Sequence, residues 1–422
     1  MFPEYKNIVI DSRKVEAGDV FVAIKGENFD GNDFIPQALQ NGAVAALSGL
    51  PALEELARNR RAASKAKIIG ITGSVGKTST KEMLRLALSV HGKVHATTGN
   101  YNNHIGTPLN LANMPLDADY GVFEMGMNHT GEISHLTRMV RPHIALITRV
   151  EAAHLEFFSG IEEIAKAKAE IFEGLIYGGV RVVNADQPYF HNNDTITFGE
   201  AKSADCRLLS YTPTPVGCNI SAEIFGQKLD YKLAAIGKHW AVISLSVLAV
   251  VHALGLDLQK SATALAEFSE VEGRGKIIPI KTITGEYSII DDSYNASPAS
   301  MRSAFAKTAE VWAAGGKSGR KVALLGDMLE LGKDAAEIHK NLAQDLIASG
   351  FHVVHTAGDL MENLHRALPE TMRGTHTKTA NELLAKIMLP KNMLQDNDIV
   401  LIKGSHGSKM YELAQKIVDR SS

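Results

Sequence analysis

Thr72-Gly73-Ser74-Val75-Gly76-Lys77-Thr78 stands where an apolar run, Ile68 to Ile71, gives way to a helix-like pattern from Ser79 to Val90. Strand before and helix after make this a phosphate-binding loop. Small residues let successive backbone N–H groups face one anion, and the helix start adds its positive dipole end. Lys77 is placed to reach the outer phosphates and the Thr78 hydroxyl to meet Mg²⁺. Ile71 occupies the position of the first glycine in the longer G-x-x-x-x-G-K-[ST] pattern, so this is the shorter form T-G-x-x-G-K-T. The loop implies a chain that handles a nucleoside triphosphate.

Outward from the loop, strands alternate with helices: Tyr120 to Phe123, Ile144 to Thr148 and Val180 to Val183 read as strands of a mostly parallel, doubly wound sheet. Before it, Gly18 to Ile24 reads as a strand, Asp30 to Asn32 as a turn and Asp33 to Asn41 as a short helix, and the polar stretch Arg58 to Lys67 reads as a linker. After it come a β-rich segment, Thr195 to Leu233, and an apolar stretch, Trp240 to Leu256, too short to span a bilayer and read as a buried helix. Beyond Gly273-Arg274-Gly275 a second strand-then-helix series begins, with strands at Ser288 to Ile290, Val322 to Leu325, His352 to Val354 and Ile399 to Ile402. Each ends in a polar loop, and carboxyl ends of strands are where open α/β sheets bind ligands.

Length supports this division, because 422 residues exceed what one core holds. The expected fold class is α/β in three domains. Residues 1–66 form a small N-terminal α/β domain, 67–274 a central phosphate-loop domain with a doubly wound sheet, and 275–422 a C-terminal Rossmann-like domain. A formal charge of −3, with no long basic block, gives no sign of nucleic-acid binding. Two cysteines, Cys206 and Cys218, supply neither a disulfide framework nor zinc spacing. The first residues lack the basic-then-apolar pattern of an export signal, so a cytoplasmic enzyme with no membrane insertion is expected.

Further residues carry possible chemistry. Glu124 ends an apolar strand where phosphate-loop proteins place an acidic Mg²⁺ residue, and a solvated strand-end carboxylate is the alternative. Projected at 100° per residue, Ile161, Ile164, Ala165, Ile171, Phe172, Leu175 and Ile176 share one face of a helix from Ile161 to Ile176, and Lys168 falls near its centre. A lysine there either snorkels to the helix edge or stays uncharged and captures CO₂ as a carbamate, in effect a carboxylate able to hold a second Mg²⁺. His154 reads by spacing as a packed or helix-start histidine rather than a metal ligand. Asn100, Asn102, Asn103 and His104 form an amide-rich loop, either a turn cluster or one wall of a substrate groove.

From end to end these segments resemble the Mur ligases. The resemblance rests on DSRKVEAGDVFVAIKGENFDGNDFI at 11 to 35, GITGSVGKTSTKEML at 70 to 84, GNYNNHIGTPL at 99 to 109, FEMGMNHTGEI at 123 to 133, HLEFF at 154 to 158, AKAEIF at 167 to 172, DDSYNASPASM at 291 to 301, GDMLELG at 326 to 332 and KGSHGSKM at 403 to 410. EMGMNHTGEI, DDSYNASPASM and GDMLELG point to the branch that attaches D-alanyl-D-alanine to UDP-N-acetylmuramoyl-tripeptide through an acyl phosphate. A D-N-P-R signature of the diaminopimelate-adding relatives is absent.

The resemblance implies a first domain that holds the UDP end of the substrate, a second that binds ATP and a third that closes over the site. It implies ATP contacts from Thr72, Gly73, Ser74, Val75, Gly76, Lys77, Thr78, Ser79, Arg274 and Asn295. It further implies two Mg²⁺ ions served by Thr78, Glu124, His154 and a carbamylated Lys168, with Lys77, Lys168 and His154 as the catalytic set. Ser12, Arg13, Lys25, Gly26, Phe29, Asp30 and Gly31 would form the uridine-diphosphate region. The partners are then small molecules, UDP-N-acetylmuramoyl-tripeptide and D-alanyl-D-alanine, and the chain is expected to work as a monomer. Ser297, Ile243 and His406 depart from the family's usual asparagine, asparagine and arginine. An amide ligase for a folate-like acid and a phosphate-loop kinase or binding module remain as rival readings on the loop alone.

Overall fold

The computed structural model describes residues 5–26, 28–152, 156–190, 194–281, 285–316, 318–387 and 394–419. Three sheets organise the chain, and the fold is α/β with mostly parallel strands. The first sheet has β1 (Ile8–Val9), β2 (Val20–Ala23) and β3 (Ala45–Ser48) in parallel. Val20, Phe21, Val22 and Ala23 are all buried, as expected of a strand covered on both faces. The expected helix from Asp33 begins instead as a 3₁₀ turn, Gly31–Phe34, and becomes α-helical at Ile35–Gln40, where Pro36 suits the first turn.

Of the stretch Arg58 to Lys67 read as a linker, Arg58 to Ala63 is the end of a helix, Leu50–Ala63, only Ser64 to Ala66 connects, and Lys67 opens the next strand. The helix's polar residues misled the reading because they find partners inside the fold. Arg58 pairs with Glu54, and Arg61 donates to the carbonyls of Val140 and Arg141 at 2.7 Å each, while Leu53, Leu56 and Ala57 are buried.

Around the phosphate loop, β4 (Lys67–Thr72), β5 (Val94–Ala96), β6 (Tyr120–Glu124), β7 (Ile144–Ile147), β8 (Val180–Asn184) and β9 (Thr195–Gly199) run in the order β5-β6-β4-β7-β8-β9, every pair parallel. The connection from β4 leads toward one edge and that from β7 toward the other. Their carboxyl ends therefore flank a topological switch point, where doubly wound sheets open a crevice. A meander follows: β10 (Cys206–Thr214), β11 (Gly217–Ile224) and β12 (Gln227–Leu233), antiparallel throughout. Cys206 and Cys218 lie on its first two strands, both buried and both free thiols. The apolar stretch is the helix Lys238–Ala253, in which Val247 to Val251 are wholly buried.

The last sheet contains β13 (Lys276–Lys281), β14 (Glu286–Asp292), β15 (Lys321–Gly326), β16 (Val353–Ala357), β17 (Arg373–Thr377) and β18 (Ile399–Lys403) in the order β13-β14-β18-β15-β16-β17. Its pairs are parallel except β13 with β14. Alternation along the strands fills two cores. Ala323, Leu325 and Leu401 face Phe305, Leu342 and Leu346, while Val322, Leu324, Val400 and Ile402 face Leu383, Leu413 and Ile417.

The chain forms two compact units, one of Met1–Arg149, Ala165–Phe198 and Ser246–Ser261, the other of Val150–Ile164, Gly199–Leu245 and Ala262–Ser422. Among the described residues no helix is long and apolar enough to cross a membrane.

Candidate active site

The phosphate loop is built where β4 ends. Gly73 has φ +152° and Gly76 φ +84°, conformations that L side chains rarely adopt. A Cβ at Gly73 would also lie 1.9 Å from Thr148 Oγ1, so the loop's floor is a close approach between the ends of β4 and β7. Thr148 Oγ1 donates to the Val75 carbonyl at 2.6 Å, and the Ser74 N–H donates to the Arg149 carbonyl at 2.7 Å. These contacts hold the loop over the switch point. The helix Lys77–Ser89 starts directly from it, and Lys77 Nζ folds back to the Gly73 carbonyl at 2.7 Å. The cradle fits a polyphosphate: its glycines tolerate no side chain, its helix end is positive and its lysine lies along the rim.

Beside the cradle, Thr78 Oγ1 donates to Glu124 Oε2 at 3.0 Å, and Asn102 Nδ2 donates to Glu124 Oε1 at 2.7 Å. Glu124 is 1% exposed, which excludes the solvated strand-end alternative. The amide-rich loop owes its shape to its own side chains. Asn103 Oδ1 accepts from the N–H groups of Ile105 and Gly106, starting the helix Gly106–Ala112, and Asn110 accepts from the Thr98 N–H. Asn102 reaches a carboxylate that the sequence had marked.

Sequence reasoning missed Lys81, one turn beyond Lys77. It is 2% exposed, and its Nζ donates to the carbonyls of Thr97 at 2.7 Å and Gly99 at 3.3 Å, with Glu82 Oε1 at 3.1 Å. A lysine four residues after the loop lysine, on the same helix face, was the available signal.

Lys168 is 3% exposed. Burial, and then the positive charge of Lys77, hold its pKa well below the usual lysine value. The snorkelling alternative fails on this burial. The helix that carries it is α-helical over Ile161–Ala169 and then tightens to a 3₁₀ turn, Glu170–Gly174, which the continuous projection did not anticipate. Glu170, the first residue of that turn, accepts the N–H groups of Gly131 at 2.7 Å and Ser134 at 3.0 Å at the start of the helix Glu132–Val140. His154 lies outside the described residues. Among the described residues no group of three or more His, Cys, Asp or Glu side chains is placed to hold a metal ion. A magnesium ion on phosphates requires less, one or two hard oxygen ligands, and Thr78 with Glu124 are of that type.

In the other unit, Arg274 lies with its guanidinium 4.2 Å from the centre of the Tyr294 ring. The segment around it is held by β14: Asp291 Oδ2 accepts the Gly273 N–H, and the Asp291 carbonyl accepts the Gly275 N–H. The Asn295 side chain accepts from the Ala296 N–H, and its carbonyl receives a bond from Lys403 Nζ at 2.9 Å. Ser297 caps the helix Pro298–Ala314 in a reciprocal pair with Ser300, so this departure serves the fold locally. His406 stacks on Tyr411 at 4.7 Å and leans toward Tyr294 at 5.8 Å. Glu272, Tyr294, His406 and Tyr411 are among the walls of a cavity of about 470 Å³.

Of the N-terminal set, Ser12 is buried and donates to Gln37 Oε1 at 2.8 Å. Arg13 is exposed and pairs with Asp11, whose carboxyl it draws down to about 2. Lys25 and Asp30 form a backbone bridge around Gly26 and Phe29, and Gly31 passes so close to Ile24 that a Cβ would lie 2.5 Å from its carbonyl oxygen. Phe29, 65% exposed, is the apolar surface this turn offers.

Comparison with known proteins places these features in one lineage. Three family profiles match: "Mur ligase family, catalytic domain" over residues 4–84, "Mur ligase middle domain" over 71–251 and "Mur ligase, glutamate ligase domain" over 273–406. The UDP-N-acetylmuramoyl-tripeptide–D-alanyl-D-alanine ligase of Rickettsia prowazekii (strain Madrid E) is 35% identical, covering 98% of this chain and 94% of the relative. The protein of that name from Bacillus subtilis (strain 168) is 32% identical, covering 99% and 95%. Among solved structures, MurF from Acinetobacter baumannii superposes with a TM-score of 0.86 at 29% identity, over 99% of this chain and 95% of that one. MurF from Thermotoga maritima, in complex with ADP, gives 0.85 at 27% identity, over 99% and 97%. With the phosphate loop inside the middle-domain match and similarity running the length of both chains, this chain belongs to the Mur ligase family.

Proposed function

We propose that the chain is an ATP-dependent ligase that joins D-alanyl-D-alanine to UDP-N-acetylmuramoyl-tripeptide, giving the UDP-linked pentapeptide of peptidoglycan precursor synthesis. The observation that carries this reading is the end-to-end match to ligases of that name, with a formed phosphate loop at its centre. A carboxylate resists attack by an amine because it is anionic and has no good leaving group. Transfer of the γ-phosphoryl of ATP to the tripeptide's terminal carboxylate removes both obstacles and releases ADP. The neutral amine of the dipeptide then adds to the acyl phosphate, and the tetrahedral intermediate gives up the amine proton to water and expels phosphate as the amide forms. The protein's work is positioning and charge neutralisation.

In this assignment the N–H groups of Gly73, Val75 and Gly76 and the helix start hold the phosphates, Ser74 braces the loop through Arg149, and Lys77 offsets charge on the transferring group. Thr72 and Ser79 flank the loop. Thr78 and Glu124 would hold Mg²⁺, which supplies neutralisation across the phosphate oxygens, and His154 belongs to the same proposed set. Lys168, buried and inclined to be uncharged, is suited to react with CO₂, losing a proton and becoming a carbamate that faces the Lys77 charge. Arg274 and Asn295 would meet the nucleotide. Residues 1–66, through Ser12, Arg13, Lys25, Gly26, Phe29, Asp30 and Gly31, would take the UDP end, residues 67–274 ATP, and 275–422 complete the ligase. The reaction would run in the cytoplasm on a single chain.

Mass spectrometry of the protein with ATP, UDP-N-acetylmuramoyl-tripeptide and D-alanyl-D-alanine tests the reading. ADP, phosphate and pentapeptide in equal amounts are expected. A phosphorylated product without amide would identify a kinase, and ATP use without a new amide would overturn the assignment.

A further inference from the structure

We propose that Lys81 is a positioning residue that sets Glu124, and through it the metal side of the phosphate loop, in register. This rests on the ATP-binding part of the function proposed above. Glu124 is gripped from two directions. The helix Lys77–Ser89 supplies Thr78, which bonds Oε2, and the loop after β5 supplies Asn102, which bonds Oε1. A third contact fixes its backbone, since the Glu124 N–H donates to Thr97 Oγ1 at 3.1 Å. The carboxylate is usable as a metal ligand only if helix and loop keep a fixed spacing, because a shift of either opens one grip.

Lys81 is the side chain that spans the two. It leaves the helix one turn after Lys77 and enters the loop at its start, where Thr97 and Gly99 present their carbonyls at 2.7 and 3.3 Å. With Glu82 Oε1 at 3.1 Å, three acceptors match the three N–H donors of one ammonium. Thr97 is thus held through its carbonyl by Lys81 and holds Glu124 through its hydroxyl. The far end of the loop closes the circuit: the Gly126 N–H donates to the Asn102 carbonyl at 2.8 Å, just beyond Glu124. An ammonium that is 2% exposed is costly to desolvate unless fully bonded, and here two of its three contacts, to Thr97 and Gly99, cross from helix to loop while Glu82 on its own helix takes the third. Methionine would fill the same space and bridge nothing.

Calorimetric titration with ADP, with Mg²⁺ and then with EDTA, tests this without requiring turnover. Lys81→Met should lose at least about tenfold of the affinity that Mg²⁺ adds, while affinity in EDTA stays within about twofold of the parent. In the ligase assay kcat should fall at least about tenfold, with KM for the UDP-tripeptide within about threefold. Lys81→Arg, which keeps charge and donors, should recover part of the Mg²⁺-dependent gain. A folded Lys81→Met with the parent's full Mg²⁺ gain overturns the proposal. Should that variant fail to fold, Thr97→Val decides the matter: it keeps Lys81 and its carbonyl partner but deletes the hydroxyl that receives the Glu124 N–H. A reduced Mg²⁺ gain supports the proposal, and an unchanged gain overturns it. An unmodified protein that binds Mg²⁺·ADP yet makes no pentapeptide would refute the ligase reading and leave this one standing.

Discussion

Lys168 is the side chain whose surroundings bear most directly on the proposed chemistry. Burial and the neighbouring Lys77 charge both oppose its protonation, which is the condition under which an amine attacks CO₂. Lys168→Ala is therefore expected to lower kcat at least about a hundredfold, with part of the activity returning on addition of short carboxylic acids that replace the carbamate. In ¹³C-bicarbonate the unmodified protein should show a carbamate carbon by NMR that the variant lacks. Near-normal turnover of the variant would reduce Lys168 to a packed side chain. The sequence revealed this lysine because its neighbours make an apolar stripe and a charge at the stripe's centre stands out. It concealed Lys81, equally buried, because the surrounding Thr78, Ser79, Thr80 and Glu82 are polar and give no stripe. Two of its partners, moreover, are backbone carbonyls, which no residue type encodes.

Between elements, the helix Pro298–Ala314 is tied to the segment before β13 by a buried ion pair. Lys307 Nζ reaches Glu270 Oε1 at 2.6 Å and the Gly275 carbonyl at 2.5 Å, with both side chains almost wholly buried. Removing one partner of such a pair strands the other charge, so Lys307→Met should destabilise by about 3–5 kcal/mol. Lys307→Met combined with Glu270→Gln should recover much of that loss, and urea unfolding of the two variants measures the difference. The same scale explains which elements were legible. Strands with continuous apolar runs, such as Ile68 to Ile71 and Val322 to Leu325, stood out because both faces are covered. β13 and β17 did not, since both are edge strands with mixed burial, and β17 reads Arg373-Gly374-Thr375-His376-Thr377. The end of the helix Leu50–Ala63 was hidden by arginines that pair along it or bond the carbonyls of Val140 and Arg141 instead of marking a break.

Across the whole molecule, histidines make stability depend on acid. His143 Nδ1 accepts the Ile68 N–H at the start of β4, and His352 Nδ1 accepts the Lys321 N–H at the start of β15, each at 2.9 Å. His355 Nδ1 takes the Thr375 N–H and His339 Nε2 the Met328 N–H, also at 2.9 Å. A protonated ring cannot accept, and burial opposes the charge first of all. His143 and His355 are each lowered to about 4, and His339 and His352 are lowered as well. The sign follows: with folded values below the unfolded 6.5, the unfolded chain binds more protons as pH falls. Stability is full above about 6.5 and declines toward pH 4, with His355 alone accounting for about 3 kcal/mol. Tm measured from pH 7.5 to 4.5 should fall steadily, and His355→Gln should flatten the lower part of the curve. The α/β plan was legible because the strands Tyr120–Glu124, Ile144–Ile147 and Val180–Asn184 carry continuous apolar runs. These histidine caps were not, because they pair residues distant in sequence.

The two thiols of the meander have a practical consequence. Both lie inside β10 and β11, and burial raises them, Cys218 to about 12 and Cys206 further, so neither presents a thiolate near neutrality. The native chain should take up almost no maleimide until it unfolds, when two equivalents react. A single cysteine introduced at the fully exposed Tyr177 would then accept a fluorophore against a silent background, with no need to strip the natural sulfurs first.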